Sequence, residues 1–176
     1  MSQDRVPSAV EPTVAFGARL ANSPAFKELF RDGMALVEET AAYLDGPGRA
    51  ESRTLDRGPA LAYATESMRL TTRLMQLASW LLLQRAVNEG ELTQEQAAKE
   101  KSKVRLSSVG APTPEATLAE LPEALAALIG KAMRLQARIV HMDRLLFGAF
   151  EQNEPQPSNA VAGQIDRLAS VFAPKG

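Results

Sequence analysis

Hydrophobic positions recur along this chain in steps of three and four, which predicts helices, and no strand pattern appears. The strongest signal runs from Tyr63 to Val87. At 100° per residue, Leu61, Met68, Met75 and Leu82 fall in one row, and Leu70, Leu74, Leu77 and Leu81 in a second. Together the rows cover more than half the circumference, wider than the apolar stripe of a surface helix. This helix therefore has to touch several neighbours. The arc left over carries Glu66, Arg69, Arg73, Gln76 and Gln84, with Trp80 in its middle. A Trp on a polar stripe is a docking signal. Arg69, Arg73 and Trp80 are thus the first partner-binding candidates, with a core role or a small-ligand site as competing readings.

The same periodicity divides the chain. Residues 1–22 hold Pro7, Pro12 and Gly17 and no long period, and read as a disordered arm. Ser23-Pro24 opens a helix over about 23–45, with Ser as N-cap and Pro at the first helical position. Its apolar face is Phe26, Leu29, Phe30, Met34, Val37, Ala41 and Leu44, and Asp45-Gly46-Pro47-Gly48 ends it. The central helix covers about 59–88 and stops at Asn88-Glu89-Gly90. Thr93 to Gln96 reads as a capping box opening a short helix over about 93–103, with a loop from Ser107 to Thr117. A third long helix spans about 122–150, where Leu121, Leu125, Leu128, Ala132, Leu135, Ile139, Met142 and Leu146 form a bundle seam.

Residues 152–176, cut off by Pro155 and Pro157, read as a flexible tail that carries Ile165, Leu168, Val171 and Phe172 at helical spacing. The expected architecture is all-α: a three-helix bundle domain over 23–151 with a long central helix, between a disordered N-terminal arm and a flexible C-terminal tail. The central helix keeps apolar surface after touching two neighbours. A second copy would cover it, so a homodimer is expected. The competing arrangement lays the short helix and the following loop over that surface. The relative direction of the second and third long helices stays open. Asp143 falls near Ser67 and Thr71 if they are antiparallel, and near Arg85 if they are parallel.

Composition narrows the chemistry. The 176 residues are 45% hydrophobic and 23% charged, ordinary for one soluble domain, and only 5% aromatic, which favours helix over sheet. A net charge of -1 gives no global field for nucleic acid or an anionic membrane. Without cysteine there is no disulfide, thiolate metal site or thiol nucleophile. The N-terminal residues lack the apolar core of a signal peptide, and no apolar run approaches the ~20 residues of a membrane span. The basic run Lys99, Lys101, Lys103 and Arg105 is diluted by Glu100 and lacks aromatics, so it reads as a solvated surface. His141, the single histidine, shares a stripe with Lys131, Arg134 and Arg138 and makes no zinc site. That basic stripe is a second docking candidate. Gly46-Pro47-Gly48-Arg49 lacks the preceding strand and the Lys-Ser/Thr of a phosphate loop, and reads as a turn. No catalytic residue, cofactor or metal is expected.

The segments LDGPGRA (Leu44 to Ala50), YATESMRLTTRLMQLASWLLLQRAV (Tyr63 to Val87), EGELT (Glu89 to Thr93) and LQARI (Leu135 to Ile139) resemble the alphaproteobacterial regulator of CtrA degradation family. The resemblance covers roughly Phe26 to Phe150. It implies an adaptor rather than an enzyme, built as a dimeric three-helix bundle with a flexible C-terminal tail and acting in regulated proteolysis by ClpXP. The partners it implies are a second copy of the chain, ClpX with its response-regulator priming factor, a cyclic-di-GMP effector adaptor, and substrates such as the cell-cycle transcription factor CtrA. It implies a cytoplasmic protein placed at the cell pole. The alternative from the residues alone is a ligand-sensing or enzymatic helical domain with Arg69, Arg73 and Asp143 around a pocket, or a purely structural dimer. An adaptor needs docking faces on a rigid body. The candidates are the Arg69/Arg73/Trp80 arc, the Lys131/Arg134/Arg138 stripe, and the tail residues Ile165, Leu168, Val171 and Phe172 as an apolar anchor.

Overall fold

The structure, a computed structural model, describes residues 23–101, 103, 104, 106 and 113–151. The arm and the tail, with Ile165, Leu168, Val171 and Phe172, lie outside the described residues. Among the described residues six helices follow in order: α1 (Pro24–Asp45), α2 (Pro47–Ser52), α3 (Arg57–Asn88), α4 (Gln94–Lys101), α5 (Glu115–Ala119) and α6 (Glu123–Glu151). The chain is all-α, with α1, α3 and α6 packed around one core. Two short helices, α2 and α5, occupy stretches that sequence reads as turn and loop.

The helix ends follow from local chemistry. The Ser23 hydroxyl accepts from the Phe26 amide at 3.3 Å and Pro24 occupies the first turn of α1. Gly90, at φ 78°, lets the chain turn back after α3, so that the Glu91 amide reaches the Ala86 carbonyl at 2.9 Å. Before α4, the Gln96 amide donates to the Thr93 hydroxyl at 3.1 Å and the Thr93 amide to the Gln96 side-chain oxygen at 2.9 Å. These two bonds are the reciprocal capping box.

Long-range contacts settle the helix directions. Asp32 pairs with Arg138 and Glu39 with Lys131, so α1 and α6 are antiparallel. Gly33 lies against Leu81 and, further along α1, Tyr43 lies beside Tyr63, so α1 and α3 are also antiparallel. Helices α3 and α6 therefore run parallel. The partners of Asp143 are nonetheless Trp80 and Lys101, not Arg85.

All eight seam positions of α6, from Leu121 to Leu146, are buried. On α1 the buried line is Phe26, Leu29, Gly33, Leu36, Thr40 and Tyr43, rotated from the expected face, while Phe30, Met34, Val37 and Leu44 are half-buried and Ala41 is exposed. The rotation arises because α1 sits in the cleft between α3 and α6 and must serve both. Gly33 lies at the closest approach, where a Cβ would collide with Leu81.

At the α2 end, the Tyr43 hydroxyl donates to Glu51 at 2.7 Å. Burial, then the neighbouring Glu51 carboxylate, pushes the Tyr43 phenol well above its usual value, and burial also raises Tyr63. A phenol whose folded pKa is raised contributes stability that is complete below pH ~10 and is lost as pH rises through the folded value. Stability should therefore fall above pH ~10, and Tyr43→Phe should flatten that fall at a cost of about 1 kcal/mol near neutral pH. Thermal melts at pH 7, 9.5 and 11 check this. An unchanged alkaline slope would disprove the role of Tyr43.

Candidate functional site

The polar arc of α3 faces inward. Glu66 is 4% exposed, Arg73 9%, Trp80 1% and Gln84 1%. Trp80, the leading docking candidate by its place on the polar stripe, is part of the core. Its indole Nε1 donates to Asp143 Oδ1 at 2.8 Å, and Asp143 Oδ2 accepts from Lys101 Nζ at 2.9 Å. The Lys101 ammonium also lies 4.8 Å from the centre of the Phe147 ring. Four helices, α1, α3, α4 and α6, meet at this cluster, and its charges are paired as burial requires. Arg69, half-exposed, donates to Glu66 at 3.0 Å, and Thr113 donates to the other Glu66 oxygen. Burial pushes the Arg73 guanidinium below its usual value, opposed by the Glu66 charge. Segments after α4 reach two members of this arc, Thr113 on Glu66 and Asp143 on Trp80, whereas Arg73 Nε, Gln76 Oε1 and Gln84 Oε1 are buried with no hydrogen-bond partner among the described residues.

The first apolar row of α3 points out instead. Leu61 is 70% exposed, Met68 74%, Met75 66% and Leu82 53%. These are four large apolar side chains at a strict seven-residue repeat, the spacing of a two-helix seam. The hydroxyls beside them are turned onto the helix backbone. Thr65 donates to the Leu61 carbonyl at 2.9 Å, Thr72 to Met68 at 2.9 Å and Ser79 to Met75 at 2.8 Å. Those donors are satisfied without water, so this face can be buried at little polar cost. Beside Met75 lies an apolar groove of about 270 Å³ between α1 and α3, lined by Val37, Ala41, Leu44, Leu74 and Ala78 among others.

The basic stripe lies on the opposite side of the helix triangle, where α6 meets α1. Lys131 pairs with Glu39 at 2.6 Å and Arg138 with Asp32 at 3.0 Å. The bond from Arg138, chiefly, holds the Asp32 carboxyl below its usual pKa. Arg134 stands between these pairs with no acidic partner among the described residues. The edge forms a shallow groove of about 300 Å³ whose floor includes the buried Leu36 and Leu135. His141 is exposed one turn further along α6. The basic run near α4 is largely neutralised, with Lys99 on Glu95, Lys103 on Glu100 and Lys101 on Asp143. Arg69, Arg73 and Asp143 line neither groove.

Among the described residues no group of three or more His, Asp or Glu is placed to hold a metal ion, and no helix is long and apolar enough to cross a membrane. The reach of the sequence here was uneven. The stripe of Lys131, Arg134 and Arg138 forms one surface, whereas the Arg69/Arg73/Trp80 arc does not. Apolar surface left over on the central helix is expected from its two rows, but spacing does not say that the row of Leu61, Met68, Met75 and Leu82 is the one that carries it.

Comparison with known proteins adds an independent line. The family described as "Protein of unknown function (DUF1465)" matches residues 17–172. Among solved structures, the chain is similar to the crystal structure of RcdA from Caulobacter crescentus CB15, at 50% sequence identity and a TM-score of 0.61. That similarity covers 73% of this chain and 96% of the other. Among curated proteins nothing matches.

Proposed function

The chain belongs to the regulator of CtrA degradation family, and from that premise we propose that it is a non-enzymatic adaptor that delivers substrates such as CtrA to ClpXP. The observation that carries this reading is the 50% identity to RcdA across nearly the whole of that solved chain. The surfaces support it. Two outward faces, one apolar and one basic, stand on opposite sides of a rigid bundle, and the charged groups inside the bundle are used for packing. An adaptor works by holding two partners close, so it needs faces of this kind and no reacting groups.

The adaptor acts as a homodimer joined along Leu61, Met68, Met75 and Leu82. Its further partners are ClpX with the response regulator that primes it, and the cyclic-di-GMP effector adaptor. It works in the cytoplasm, at the cell pole. The ligand-sensing alternative has less support, because Asp143 is spent on Trp80 and Lys101, and Glu66 on Arg69 and Thr113.

A reconstituted degradation assay tests the proposal. Purified ClpXP, the priming regulator, the cyclic-di-GMP effector and CtrA are combined with and without the full chain. The chain should accelerate CtrA loss several-fold at micromolar concentration. An unchanged rate, with no binding of the chain to any of these components, would refute the adaptor role.

A further inference from the structure

We propose that the α1/α6 edge is a docking site for a carboxylate-bearing segment of a partner protein, with Arg134 as the residue that takes the carboxylate. The inference rests on the adaptor reading for its biological partner and on geometry for its chemistry. The edge is built as a ladder. Helix α1 presents Asp32, Ala35 and Glu39, and α6 presents Arg138, Arg134 and Lys131. The outer rungs are closed by ion pairs of 3.0 and 2.6 Å. The middle rung has its cation but only the Ala35 methyl opposite. An acidic side chain from outside would complete it.

The groove selects for one carboxylate. Along the groove itself three cations face two carboxylates, and Arg31, 3.4 Å from Asp32, adds its charge just outside the lining. A phosphate dianion would place two charges on the one guanidinium, between the carboxylates of Asp32 and Glu39. A planar guanidinium matches a carboxylate in two parallel bonds. Leu36 and Leu135 form an apolar floor, which suits the aliphatic stem of Glu or an apolar neighbour of the acid. The site is on the far side of the bundle from Leu61, Met68, Met75 and Leu82, so a second copy seated on that row leaves it open.

The test uses the full chain, a fluorescein-labelled hexaglutamate peptide, a hexalysine control and inorganic phosphate, at low ionic strength where such contacts are least screened. Hexaglutamate should bind and hexalysine should not. Arg134→Ala should weaken binding about tenfold, the scale of one charge-assisted contact. Ala35→Glu should weaken it as much, because the new carboxylate fills the middle rung from within, and its melting temperature should stay level or rise. Three results would overturn the proposal: no hexaglutamate binding, binding that survives both substitutions, or inorganic phosphate competing as well as the peptide. The assay contains no protease, so its failure leaves the adaptor reading standing. A failed degradation assay likewise leaves the peptide result intact.

Discussion

Met68→Glu combined with Met75→Glu is expected to turn a dimer into a folded monomer. Both side chains project from α3 into solvent, at 74% and 66% exposure, so glutamate there costs the isolated chain almost nothing. In a dimer joined along this row, the four added carboxylates would sit in an apolar seam close to one another, which costs several kcal/mol each when unpaired. Sedimentation of the parent chain at micromolar concentration should give twice the 19.0 kDa chain mass. The double variant should sediment as a single chain with its helicity kept, and its melting temperature should lose the dependence on concentration that dimerisation confers. A parent that is already monomeric, or a variant that keeps the dimer mass, would remove this row from the interface.

Asp143→Ala should be the most damaging single substitution inside the bundle. It strips the Trp80 indole N–H of its acceptor and takes from Lys101 a carboxylate at 2.9 Å. Both members of the ion pair have side chains only 12% exposed, so water does little to replace what is lost. Removing one partner of such a pair costs about 3–5 kcal/mol, which lowers Tm by roughly 10 °C or more in a domain of this size. Asp143→Asn keeps an acceptor for the indole and should cost less. In the double variant Asp143→Leu with Lys101→Met, both charges disappear together, so the loss should be smaller than for Asp143→Ala alone. Thermal melts of the four proteins decide it. A drop of under 2 °C for Asp143→Ala would show that the cluster contributes little.

The two faces of α3 show where the sequence was readable and where it was not. Leu70, Leu74, Leu77 and Leu81 are core, as their row implied, and the α6 seam is buried at every position. The other two arcs of α3 are exchanged, with polar residues inside and an apolar row outside. Periodicity records which residues share a face, but not what covers that face. Here the cover comes from far along the chain: Thr113 on Glu66 and Asp143 on Trp80. Such partners let polar groups be buried at acceptable cost, and one sequence without its contacts does not display them. The α1/α6 ladder was half visible. Lys131, Arg134 and Arg138 share a stripe by spacing alone, whereas the pairing of Asp32 and Glu39 with its ends depends on the antiparallel register.

The parallel course of α3 and α6 also sets an order of assembly. Helices α1 and α3 are joined through the short α2 turn, so their hairpin closes over little chain. Bringing α6 alongside α3 requires the whole stretch from Glu89 to Pro122 to return along the bundle first. Loop closure over that distance is slower, and the contacts α6 makes are the least local among the described residues, 63 positions apart for Trp80 with Asp143 and 106 for Asp32 with Arg138. The α1–α3 hairpin is thus the natural nucleus, and α6 the last long helix to dock. The single tryptophan stands at the junction of the two events. It meets Phe26 within the early hairpin and Asp143 only once α6 has arrived, so its emission carries a separate signal for each stage.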